Sequence, residues 1–108
     1  MSPSEVPAIV SAVVRARVGR DWRRQLSRLT AGEHFGIAGI LRPEVAWLLH
    51  QLGYADDVIG LALGVSRDGI VRGRRRFRGR LAGDAQLRVW FEAILPPAAK
   101  DAAVAGAA

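Results

Sequence analysis

Seven arginines (Arg67, Arg72, Arg74, Arg75, Arg76, Arg78 and Arg80) stand within fourteen residues that hold one acid, Asp68. Fifteen of the sixteen basic residues in the chain are arginine. A guanidinium is planar, always charged and donates from a fixed fork, so it matches phosphate oxygens and the O6/N7 edge of guanine. The chemistry offered is the binding of a polyanion. The segment carries +6, which equals the formal net charge of the whole chain, so the other nine bases and nine acids cancel. On this count the basicity is one local patch.

Other chemistries lack their parts. There is no cysteine, hence no disulfide framework and no thiolate metal site. His34 and His50 have no carboxylates at ligand spacing, and neither they nor Glu33 have a nucleophile or an oriented base beside them, so neither a metal nor a catalytic centre is expected. No Walker A glycine loop is present, so no ATPase and no nucleotide cofactor is expected. No apolar run approaches the roughly 18 residues that cross a bilayer, and Met1-Ser2-Pro3-Ser4-Glu5 does not read as a secretory signal. A cytoplasmic, nucleoid-associated protein is the expectation. A membrane-surface role would need bulky apolar residues beside the charge.

The arginines need a helix to carry them and a turn to present it. Gly60 is a small residue where two helices can touch, and Gly64, four residues on, can take the left-handed conformation of a turn. Ile59, Leu63, Val65 and Ile70 are the apolar pins, and Ser66 is the N-cap of the second helix, about Arg67 to Leu81. At about 100° per residue, Ile70, Phe77 and Leu81 share a buried stripe, with Arg72, Arg75, Arg76 and Arg80 on the opposite half. Arg74 and Arg78 fall on its flanks and must snorkel. The pattern is a helix-turn-helix. The first turns of such a helix meet base edges in the major groove, so Ser66, Arg67, Asp68, Gly69 and Arg72 are the candidates for base readout. Arg74, Arg75, Arg76, Arg78 and Arg80 are the candidates for phosphate contacts. Gly69 and Gly73 cost about 1 kcal/mol each relative to Ala, which a close approach to DNA or to the preceding helix would explain. Arginine-rich helices also bind RNA, and that alternative stays open.

The remaining segments read as helices too, about six in all, forming one all-α domain over 1–95 with a disordered Ala/Gly/Pro-rich tail at 96–108. A first helix runs from about Pro3 to Val18, capped by Ser2 or Ser4, with Val6, Ile9, Val10, Val13 and Val14 inward. Asp21 caps a second, Trp22 to Leu29, with Leu26 and Leu29 inward and Arg23, Arg24 and Arg28 outward. Thr30 to Gly39, with three glycines, reads as a loop or short turn. Pro43 opens a third helix that Gly53 ends. Its buried stripe is Val45, Leu48, Leu49 and Leu52, so Trp47, on the far side, is either covered by another element or a protein contact. A short helix from Asp56 to Leu63 precedes the turn, and Asp84 caps a last helix from Ala85 to Leu95.

The stretch from Arg42 to Leu95 resembles the Trp-repressor-like superfamily, which includes the C-terminal DNA-binding domain of the replication initiator DnaA. The Trp-repressor similarity is carried by Leu63-Gly64, Ile70-Val71-Arg72-Gly73 and Leu87 through Leu95. The DnaA-like similarity is carried by Val45-Ala46-Trp47-Leu48-Leu49 and Ile59 through Gly64. The resemblance implies a sequence-specific double-stranded-DNA-binding transcription regulator. It places Arg42 and Arg72 at two corepressor-contacting arginines, although Gly69 and Arg76 replace small hydroxyl residues lining that pocket. Arg67-Asp68-Gly69-Ile70 replaces the initiator's Asp-His-Thr-Thr signature, so a different DNA sequence is read. A stand-alone domain of this size is similar to the small GafY-type activators of alphaproteobacterial gene transfer agents. That implies an activator of a phage-like gene cluster, acting with a partner transcription factor or RNA polymerase component. The alternative is a ligand-responsive homodimeric repressor.

Overall fold

The computed structural model describes residues 3–94. Its elements are a 3-10 turn at Pro3–Glu5, α1 (Val6–Val18), a second 3-10 turn at Gly19–Asp21, α2 (Trp22–Thr30), α3 (Gly36–Gln51), α4 (Asp56–Leu63), α5 (Arg67–Ala82) and α6 (Ala85–Ile94). The protein is all-helical, with no strand among the described residues. No helix there is long and apolar enough to cross a membrane. The expectations for Leu95 and for a tail at 96–108 lie outside the described residues.

α3 is the central helix, and it departs most from the sequence reading. It begins at Gly36, inside the expected loop, and runs through Pro43 rather than starting there. A proline in a helix interior removes one i→i−4 hydrogen bond and crowds the carbonyl four residues back, here that of Gly39. Packing outweighs that cost. α3 lies against α1, α2, α4 and α5, most extensively against α5. From Leu41 to Leu49 every residue except Pro43 is buried, as expected of a helix surrounded by others. Two glycines make its start possible. Gly36 has φ +66°, and a β-carbon on Gly39 would collide with the carbonyl oxygen of His34.

That central position also settles Trp47. It is buried, with its ring edge-on to Phe77 of α5 at 5.6 Å and to Phe91 of α6 at 5.5 Å between centroids. Phe77 and Phe91 meet at 5.1 Å. The indole is thus the hub of an aromatic cluster joining three helices, not a partner contact. Truncating such a residue costs about 3–5 kcal/mol.

The caps divide. Ser66 accepts a hydrogen bond from the Gly69 N–H (3.2 Å), and Asp84 accepts one from the Leu87 N–H (3.0 Å). Asp21 does not cap α2; its carboxylate takes the Gln25 side-chain amide (2.8 Å) instead. α1 begins after Glu5, with no side-chain cap. The far end of α5 is held by Arg88, whose Nη1 donates to the carbonyls of Leu81 and Ala82 at 3.3 and 2.6 Å. A cation there also complements the helix dipole.

Candidate nucleic-acid interface

α4 and α5 are joined by three residues, Gly64-Val65-Ser66. Gly64 is left-handed (φ 68°, ψ 31°) and Ser66 is extended. The Val65 N–H donates to the Gly60 carbonyl at 2.9 Å, closing the end of α4. Contact demands both glycines, and at Gly64 the positive φ demands it as well. A β-carbon on Gly60 would sit 2.6 Å from the Val65 carbonyl oxygen, and one on Gly64 would sit 2.6 Å from that of Thr30. Ile59, Leu63 and Ile70 are buried and Val65 is half-buried, so the pair is pinned to the core as its apolar pattern requires.

The turn delivers α5 with Ser66, Arg67, Asp68 and Arg72 exposed and Gly69 half-buried. Gly69 is explained inside the protein: its β-carbon would meet Val65 Cγ1 at 2.6 Å. Gly73 is not. The nearest atoms, those of Pro43, would be at ordinary contact distance, 3.8 Å or more.

The seven arginines do not form one uniform surface. Arg74, half-buried on the flank of α5, is held bidentate by Asp56 at the start of α4, with both N···O distances 3.0 Å. His50 Nδ1 lies 3.6 Å from the same carboxylate. The hydrogen bonds from Arg74 hold the Asp56 carboxyl below the usual carboxylate range. Burial, with Arg74 adding to it, pushes the His50 imidazole down. Arg80 reaches back to Glu44 of α3 at 3.1 Å and lies over the Phe77 ring. Glu44 is completely buried and is also gripped by Arg17 of α1 through two 3.0 Å bonds. Arg17 in turn lies over the Trp90 ring at 5.1 Å.

The expected phosphate contacts therefore separate by geometry. Arg74 and Arg80 already carry protein carboxylates. Arg75, Arg76 and Arg78 are exposed. Arg67, Arg72, Arg75 and Arg76 have no carboxylate within ion-pair distance among the described residues. No helical wheel identifies Asp56 and Glu44 as the partners, since they are 18 and 36 residues away from the arginines they hold. The one local signal was Glu44 itself, an acid inside an apolar run.

Between α3 and α5 lies a groove of about 300 Å³ lined in part by Arg42, Arg72, Arg76, Gly69, Gly73 and His34. Arg42 is buried. It donates from Nη2 to the Leu29 carbonyl at 3.0 Å, and its Nε has no partner among the described residues. Burial lowers its affinity for the proton and Glu33 opposes that shift. Among the described residues no group of three or more His, Asp or Glu side chains could hold a metal ion. No protein-family model, curated protein or solved structure matches the chain.

Proposed function

We propose that this protein is a sequence-specific double-stranded-DNA-binding transcription regulator that inserts α5 into the major groove. The observation that carries the reading is the left-handed Gly64 turn leading through the Ser66 cap into a helix whose exposed face is almost wholly arginine. In a helix-turn-helix, that is the end which meets base edges. Arg67 and Arg72 take guanine bidentately, and Asp68 accepts from cytosine or orients one of them. Arg75, Arg76 and Arg78 supply the salt-sensitive affinity for phosphates. The resemblance to the Trp-repressor and DnaA C-terminal domains, and to the small gene-transfer-agent activators, agrees with this reading. It makes activation of a phage-like gene cluster beside a second transcription protein its working form. Selection of bound duplexes from a randomised pool tests it. A single enriched motif, competed by duplex DNA and not by RNA, is the expected result; no enrichment overturns sequence-specific binding.

A second reading, a ligand-responsive homodimeric repressor, is favoured by the groove between α3 and α5. Arg42 and Arg72 both line it, and the buried Arg42 Nε has no hydrogen-bond partner among the described residues. Titration calorimetry with free amino acids and nucleobases separates the readings, because heat for one such ligand favours the repressor and its absence removes it.

A further inference from the structure

The charge outside α5 balances in number but not in space. Between Arg15 and Arg28 stand six arginines (15, 17, 20, 23, 24 and 28) and one acid, Asp21. The end of α1, the following 3-10 turn and α2 thus make a second basic segment of +5, nearly the charge of α5. All six are exposed, and Arg17 is committed to Glu44. The guanidinium carbons of Arg15 and Arg23 lie 5.8 and 4.7 Å from the centroid of the Trp22 ring, which fixes that corner. Arg24 and Arg28 touch Asp21 and Glu33 at 3.4 and 3.6 Å, all four side chains being about half exposed. Exposed pairs of this kind are weak, and a phosphate readily takes the place of the carboxylate.

The position of α2 relates this surface to the first. The Thr30 carbonyl oxygen lies 2.6 Å from where a β-carbon on Gly64 would be, and the Gly64 oxygen lies 2.5 Å from one on Gly32. The C-terminal end of α2 is therefore in backbone contact with the turn that introduces Ser66 and α5. Arg28 is two residues from that contact, and Arg24 is about 6 Å further along the helix at 1.5 Å per residue. One DNA strand presents a phosphate every 3.4 Å or so of axial rise, so an arginine row of this length faces more than one phosphate.

We propose that Arg24 and Arg28 form a second phosphate-contact strip that engages the same duplex as α5, beside the bases met by its first turn. This rests on the DNA-binding reading of α5. The test uses the full chain and two duplexes of roughly three helical turns, one of random sequence and one carrying the selected motif. Arg24→Gln/Arg28→Gln is expected to reduce the slope of log affinity against log salt by about 1.8, or 0.9 per lost phosphate, with sequence preference unchanged. Both residues are exposed and Gln is nearly as good a helix former as Arg, so an unaltered circular dichroism melt should accompany the change. In the parent protein, the random-sequence duplex should protect Arg24 and Arg28 from modification by phenylglyoxal. A variant with the parent's slope and affinity, or arginines left unprotected while the parent is bound, overturns the second strip alone. A parent chain that binds no duplex overturns the reading of α5 and this proposal together.

Discussion

The Arg74 guanidinium sits squarely on the Asp56 carboxylate, Nε to Oδ1 and Nη2 to Oδ2, each at 3.0 Å. The bond joins the first residue of α4 to the middle of α5, so it holds the angle between the helices on either side of the Gly64 turn. It also assigns Arg74 a protein partner before any DNA arrives. Replacing Arg74 with Gln should lower stability by about 1–2 kcal/mol, between the value of an exposed pair and that of a buried one. The salt dependence of DNA binding should stay as in the parent. Arg76→Gln should do the reverse: little change in melting and a slope smaller by about 0.9. Equal losses of slope in the two variants would show that Arg74 exchanges Asp56 for phosphate.

Acid should weaken the fold in two stages. His50 is shifted down by burial and by Arg74, so its contribution is present above the unfolded value of about 6.5 and declines as pH falls below it. Asp56 is shifted down chiefly by its bonds from Arg74; its contribution is present above the unfolded carboxylate value of about 4 and is lost as pH falls through the lowered folded value. Urea unfolding of Asp56→Asn between pH 3 and pH 8, a range of about 5 units, should show the lower stage flattened. An unchanged profile would remove Asp56 as its source.

Glu44 is the one completely buried carboxylate among the described residues, and two arginines from different helices converge on it. Glu44→Ala leaves both cations without their acceptor and removes a fully buried side chain from α3. Both arginines keep access to water, so a loss of about 1–3 kcal/mol, smaller than for a fully buried pair, is expected from chemical denaturation. If the loss is under about 1 kcal/mol, as for an exposed pair, the node does not hold α1 and α5 to α3.

Glycine substitutions should split by sign. Gly60→Ala and Gly64→Ala each place a β-carbon 2.6 Å from a backbone oxygen, and Gly64 is also left-handed, so each should destabilise by about 2 kcal/mol or more. Gly79 lies in α5 with nothing among the described residues within 4 Å of its β position. There Gly79→Ala should raise stability by up to about 1 kcal/mol. Thermal melts of the three variants check the ordering.

Readout and affinity should be separable along α5. Arg72→Ala is expected to lose preference for the selected site by about 1–3 kcal/mol, whereas Arg75→Ala should weaken selected and random duplexes alike. Arg72→Ala retaining the parent's discrimination would move base readout away from this turn.

The parts of the molecule legible in the chain are those set by neighbours a few residues apart. Gly60 and Ser66 act through contacts five and three residues away, Gly64 acts through its own left-handed backbone, and Ile70, Phe77 and Leu81 recur with the helical period. The paired helices, their turn and the buried stripe of α5 therefore follow from residue order. Asp84 is a cap for the same short-range reason, whereas Asp21, equally well placed, gives its carboxylate to Gln25. Folding in three dimensions determined what depends on distant partners. Pro43 is carried in the interior of α3, among buried neighbours, although its local preference is to begin a helix, and the helix extends back to Gly36. Trp47 becomes a hub because Phe77 and Phe91 arrive from two other helices. Counting charge along the chain found the arginine cluster, but only packing shows that Arg74 and Arg80 are drawn to Asp56 and Glu44. It likewise sets the end of α2 against the Gly64 turn. Helical periodicity is a property of adjacent turns, whereas ion pairing depends on which side chains the fold brings within a few ångströms.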